Sequence, residues 1–92
     1  MIDPRPIGLY DSGIGGLSVV REVFAQLPGE PVLYFGDTAR VPYGPRPAAE
    51  IVAFNREIVA MLVAGGAKLI VIACNTSSAL ALEAVRGECP VP

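Results

Sequence analysis

Histidine and tryptophan are absent from the 92 residues, and cysteine occurs only twice. Without histidine, neither a Ser–His nor a Cys–His couple can be assembled within this chain, and His-ligated metals are excluded. Two thiols are also too few for a structural zinc site, so no metal is expected. Charge is sparse: 17% of residues are charged, seven basic against nine acidic, for a net charge of -2. No Lys/Arg cluster could follow a phosphate backbone, which argues against nucleic acid as a partner. No apolar run approaches the ~18 residues of a membrane span, and the opening "MIDPRPIG" lacks the basic-then-apolar layout of a signal peptide. No membrane association is expected, and the location expected is cytoplasmic. In that compartment the two cysteines read as reduced thiols rather than as a disulfide framework.

Apolar residues, by contrast, make up 52% of the chain, rich in core-forming side chains for a length that allows one small domain at most. Ile7 to Tyr10, Val32 to Phe35 and Leu69 to Ala73 are short continuous apolar runs, as expected for parallel strands covered on both faces. Between them, Leu17, Val20, Phe24 and Leu27 recur at helical spacing, as do Ile51, Phe54, Ile58 and Leu62, so each set forms one apolar stripe. Pro28-Gly29 and Gly65-Gly66 punctuate the ends of these two helices, and a third helix is expected over about Ser77 to Arg86. The order βαβαβα, with right-handed crossovers, predicts an α/β fold that starts an open, doubly wound parallel sheet. "CPVP" (Cys89 to Pro92) resembles the approach to a fourth strand. Residues 1–92 are therefore expected to form the N-terminal part of a larger α/β domain.

In such sheets ligands bind outside the carboxyl ends of the strands. Three loops fall there: "DSGIGG" (Asp11 to Gly16), "GDTARVPYG" (Gly36 to Gly44) and "CNTSS" (Cys74 to Ser78). The glycines of the first make a tight turn into a helix N-terminus, where free amides can hold an anion. A dinucleotide site is a rival, with Asp37, 24 residues beyond Gly13, as the ribose-binding acid. The fit is incomplete, because Ser18 stands where the third glycine would be and Asp11 would oppose a pyrophosphate. The glycines could equally serve the turn alone. In the second loop Pro42, Gly44, Pro45 and Pro47 stiffen the backbone around Tyr43, so it could present amides to a carboxylate or be a plain connection.

Cys74 stands where the third apolar run gives way to Asn75 and Thr76. A thiolate is the reactive form, and helix N-terminal amides lower its pKa. A buried strand cysteine is usually inert, but the end-of-strand position predicts a thiol at the rim rather than in the core. Cys89 lies beyond a helix of about ten residues, which would carry it roughly 15 Å back. It is expected to be structural.

Together "YDSGIGGLSV" (Tyr10 to Val19), "YFGDTARVPYG" (Tyr34 to Gly44) and "VIACNTSSA" (Val71 to Ala79) resemble the first three signature motifs of bacterial glutamate racemases. The resemblance spans essentially the whole chain. Aspartate racemases share the Cys-Asn-Thr motif but usually carry a different glycine-rich loop. The resemblance implies a cofactor-independent racemase that converts L-glutamate to D-glutamate for peptidoglycan. In that scheme one cysteine as thiolate removes the α-proton while a second returns a proton to the opposite face. Carried over by motif, Cys74 is the first cysteine, and Asp11 assists proton transfer or sits near the substrate ammonium. Ser12 hydrogen-bonds the substrate, Pro42, Tyr43 and Gly44 line the side-chain carboxylate site, and Asn75 and Thr76 bind the α-carboxylate. A homodimer is one assembly open to the full-length protein. The second cysteine of the family, in a Cys-Thr-His motif, has no counterpart here. These residues alone are thus expected not to racemise, and a non-catalytic fragment or amino-acid-binding module is the alternative.

Overall fold

A computed structural model of the chain describes residues 3–13, 17–40 and 45–92, and the backbone alone of Asn75. Each of the three apolar runs is a strand: β1 (Ile7–Asp11), β2 (Val32–Gly36) and β3 (Leu69–Ile72). They form one parallel sheet in the order β2-β1-β3, with Ile7 level with both Val32 and Leu69. β1 is buried along its whole length, whereas its two neighbours are half-buried. Continuous apolar sequence is what a strand covered on both faces requires, and only the central position fully meets that condition.

The helices follow from the topology. Helix α1 (Leu17–Gln26) connects β1 to β2, and α2 (Ala48–Ala64) connects β2 back across β1 to β3. Right-handed crossovers that step in opposite directions place α1 and α2 on opposite faces of the sheet. On the α2 face, Ile51, Ile58, Val59 and Leu62 are buried, and Ile58, Val59 and Leu62 pack with Tyr10, Ala67, Ala81 and Val85 as the main core. Fully burying an aliphatic side chain of this size contributes about 1.5–3 kcal/mol, so this stripe dominates the helix's stability. α2 ends where Gly66 adopts φ +92, a left-handed conformation suited to glycine.

α1 forms where its stripe predicts a helix, but that stripe is not buried: no residue of the helix is, and Leu17, Phe24 and the following Leu27 are about half exposed. The spacing equips α1 with an apolar face, but these residues do not supply a cover for it. One expectation is corrected: the single helix over Ser77 to Arg86 is instead two, α3 (Asn75–Leu80) and α4 (Leu82–Glu88), hinged at Ala81 with φ -120. No helix-breaking residue marks the hinge. Ala81 is wholly buried, and the bend brings both it and Val85 into the core under α2, so packing overrides local propensity.

At the far edge of β3 the Ile70 amide donates to the Pro92 carbonyl at 2.8 Å. The Ile7 amide makes the same bond to the Pro31 carbonyl just before β2, so Pro92 lies beside β3 as the residue before a parallel strand would. Among the described residues, no helix is long and apolar enough to cross a membrane.

Candidate functional site

The strand order makes the boundary between β1 and β3 a topological switch point, since the chain leaves β1 in one direction and returns past it to β3. Loops at the carboxyl ends of two such strands splay apart and leave a crevice. Asp11 and Ser12 end β1, and Cys74 follows β3. Across the crevice the Cys74 Sγ lies 3.4 Å from the Ser12 Oγ, a hydrogen bond in which the thiol donates.

Cys74 is the N-cap of α3, in an extended conformation, and its sulfur accepts from the Ser77 amide at 3.5 Å. It is 6% exposed and packs against Ile51 and Phe54 of α2. The expectation of a thiol at the rim thus needs refinement: the sulfur is at the strand end, but buried there beneath α2. Burial pushes the thiol pKa up, yet hydrogen bonds from the Ser12 hydroxyl, the Ser77 amide and hydroxyl and the Thr76 amide outweigh it and hold the thiol below its ordinary value. On ionisation the Ser12 hydroxyl must turn from acceptor to donor, which it does by rotation about one bond.

Ser12 also joins the thiol to the neighbouring acid. Its amide donates to the Asp11 Oδ1 at 2.7 Å, and Asp11 itself is buried. The turn after Ser12 is pinned by the Tyr34 hydroxyl, which donates to the Gly13 carbonyl at 3.0 Å. That carbonyl lies 2.7 Å from where a Cβ on Gly36 would sit, so β2 must end in glycine for the turn to settle there.

The second loop is held at both flanks. Arg40, in a short 3-10 turn (Thr38–Arg40), places its Nε 3.0 and 2.8 Å from the two carboxylate oxygens of Asp37 and pairs with Glu57 at 2.6 Å. Arg46 pairs with Glu50 at 2.6 Å and donates to the Arg40 carbonyl at 3.0 Å. Both guanidinium groups lie over the Phe54 ring, at 4.0 and 5.2 Å from its centroid. Asp37, the acid that a dinucleotide site would use for a ribose, is thus already occupied by Arg40.

The structure brings Asp11, Ser12, Cys74 and Thr76 together at one end of the sheet. Pro42, Tyr43 and Gly44 lie outside the described residues, as does the Asn75 side chain, along with Gly15 and Gly16 of the first loop. Cys89 is elsewhere: it is the C-cap of α4, packs against the main core and lines two open grooves of about 400 and 420 Å³ that flank α4. Neither groove is lined by Cys74, Asp11 or Ser12.

Sequence reading overlooked Asn55, Ser77 and the Arg40–Phe54–Arg46 stack. Asn55 left a signal, a polar residue on the apolar face of a helix, four positions after Ile51 and three before Ile58.

No protein-family model matches the chain. It is 56% identical over 87 residues to the glutamate racemase of Gloeothece citriformis, covering 95% of this chain and 31% of that protein. Among solved structures, the glutamate racemase of Aquifex pyrophilus matches with a TM-score of 0.92 at 44% identity, over 95% of this chain and 34% of that one. The glutamate racemase of Francisella tularensis, in complex with D-glutamate, matches with a TM-score of 0.92 at 45% identity, over 97% and 34% of the two chains. The chain spans about a third of the length of the curated relatives it matches, and its α/β architecture is that of the N-terminal part of the glutamate racemase fold.

Proposed function

We propose that these residues carry one of the two proton-transfer groups of a glutamate racemase, with Cys74 as the base for one face of the substrate α-carbon. The observation that supports this most directly is the position of the Cys74 sulfur, at the switch point of the sheet and within hydrogen-bond reach of Ser12, with its pKa lowered. Abstraction of an α-proton needs a base in its ionised form, and the donors around the sulfur favour the thiolate. Asp11, which accepts from the amide of the same serine whose hydroxyl meets the thiol, is assigned to assist proton transfer or to sit near the substrate ammonium, and Ser12 to hydrogen-bond the amino acid. Thr76, Asn75 and the loop of Pro42, Tyr43 and Gly44 are assigned to the two carboxylates.

Glutamate is the proposed substrate and peptidoglycan the proposed destination of the product. No cofactor is required by this scheme, since the α-carbon is deprotonated and reprotonated by side chains alone. Two-base chemistry requires a second acid on the far side of the substrate, and Cys89, at the C-cap of α4 beside grooves that Cys74 does not line, does not provide it. That acid is assigned to a segment outside these 92 residues.

The test replaces the matching third of the Lactococcus lactis glutamate racemase, 53% identical to this chain, with residues 1–92. The chimera should interconvert L- and D-glutamate, and Cys74→Ala should lower its turnover by about 10²–10⁴-fold or more, the range for loss of a general base. Near-normal turnover of Cys74→Ala would refute the assignment. The 92-residue chain by itself should form no D-glutamate.

A further inference from the structure

We propose that Tyr10, Asn55 and Ser77 form a buried positioning network that holds the Ser77 hydroxyl as a hydrogen-bond donor to the Cys74 sulfur. The three residues come from β1, α2 and α3, and each is 0% exposed. Three polar side chains sealed in a small core are costly unless each is partnered. Asn55 meets that condition for all three. Its Nδ2 donates to the Ile51 carbonyl at 2.8 Å and to the Ser77 Oγ at 3.1 Å, while its Oδ1 accepts from the Tyr10 hydroxyl.

These bonds fix the direction of the chain. Turning the Asn55 amide over would set its oxygen against the Ile51 carbonyl, acceptor against acceptor, so the nitrogen must face Ile51 and Ser77. The Ser77 oxygen is thereby committed as an acceptor, and its own proton is free to point away from Asn55. Cys74 Sγ, which accepts from the amide of the same serine at 3.5 Å, is the acceptor to which that proton is assigned. A hydroxyl so oriented stabilises the thiolate more than the thiol, consistent with the lowered thiol pKa, to which the Ser77 side chain contributes.

The ionisable groups on the elements around Cys74 are few, and none of them is altered by the Ser77 substitutions. On β1 they are Tyr10 and Asp11. The Tyr10 phenol is raised by burial first and then by the charges of Cys74 and Cys89, so it stays protonated where Cys74 ionises. On α2, Glu50, Arg56 and Glu57 pair with Arg46, Glu88 and Arg40. Beyond the hinge, Glu83, Arg86 and Glu88 of α4 are exposed.

The catalytic meaning of the network rests on the proposed role of Cys74, but its test needs no turnover, so either can fail while the other stands. In the 92-residue chain carrying Cys89→Ala, Cys74 is the sole thiol, and the pH dependence of its alkylation by iodoacetamide, followed by mass spectrometry, reports its ionisation. Ser77→Ala should move the midpoint up by about one to two pH units, as expected for losing a hydrogen bond to a charged group. Ser77→Thr, which keeps the hydroxyl, should restore it. Asn55→Leu and Tyr10→Phe should each raise the midpoint by a smaller amount, with circular dichroism verifying the fold. An unchanged midpoint in Ser77→Ala, or equal shifts in Ser77→Ala and Ser77→Thr, would overturn the hydroxyl's role. A folded Asn55→Leu with the parent midpoint would remove Asn55 and Tyr10 from the network, and if Asn55→Leu does not fold, an unchanged Tyr10→Phe midpoint does so.

Discussion

Helices α1 and α2 carry the same apolar spacing and meet opposite fates. α2 buries Ile51, Asn55, Ile58, Val59 and Leu62, whereas α1 buries nothing and leaves Leu17 and Phe24 about half exposed. Periodicity states that a helix has a face to cover; what covers it is decided by the rest of the fold. On the α2 side the cover is present, because β1, α3 and α4 all pack there. On the α1 side the described residues bury none of the helix's side chains. The candidate site lies with the covered half, where side chains are held from several directions at once.

The contrast is tested most severely by truncating one residue on each helix. Leu62→Ala should cost about 2–5 kcal/mol in denaturant unfolding, the range for a buried leucine, while Phe24→Ala should stay within about 0.5 kcal/mol. Comparable losses at both positions would erase the distinction. A second test uses alkali. Tyr10 lies on the α2 side, and burial, followed by the charges of Cys74 and Cys89, raises its pKa. The folded state therefore keeps a proton that the unfolded chain releases above pH ~10, so this group's stabilisation is complete below that pH and is lost as pH rises further. The slope attributable to Tyr10 should approach about 1.4 kcal/mol per pH unit and vanish in Tyr10→Phe, as read from unfolding curves across the alkaline range. The smallest effect is expected where the covered half meets solvent. Arg56 of α2 and Glu88 of α4 pair at 2.8 Å with both side chains more than half exposed, and Arg56→Ala should leave the melting temperature nearly unchanged.

The strands and the first two helices were legible because their signals are local: continuous apolar runs bounded by glycine and proline, and stripes at helical spacing. The sites of Asp11, Ser12 and Cys74 at strand ends followed from the same local reading. Strand order was not legible, since nothing within β1, β2 or β3 states which pair lies side by side. Yet that order is what sets Ser12 against Cys74. The hinge at Ala81 was hidden for a related reason: alanine favours helix, and the bend is imposed by contacts with α2. Asn55 showed itself only as an irregularity in a stripe, and its partners Tyr10 and Ser77 lie 45 and 22 residues away.

Phe54 and Asn55 are consecutive on α2, one beneath the two arginines that flank the second loop and the other bonded to the serine beside Cys74. Successive helical residues point about 100° apart, so one rod sets the angle between the arginine stack and the polar network of the candidate site, while Phe54 also packs against Cys74. Inserting a single residue between Phe54 and Asn55 would keep every side chain and put the two out of phase, a lesion of alignment rather than of composition.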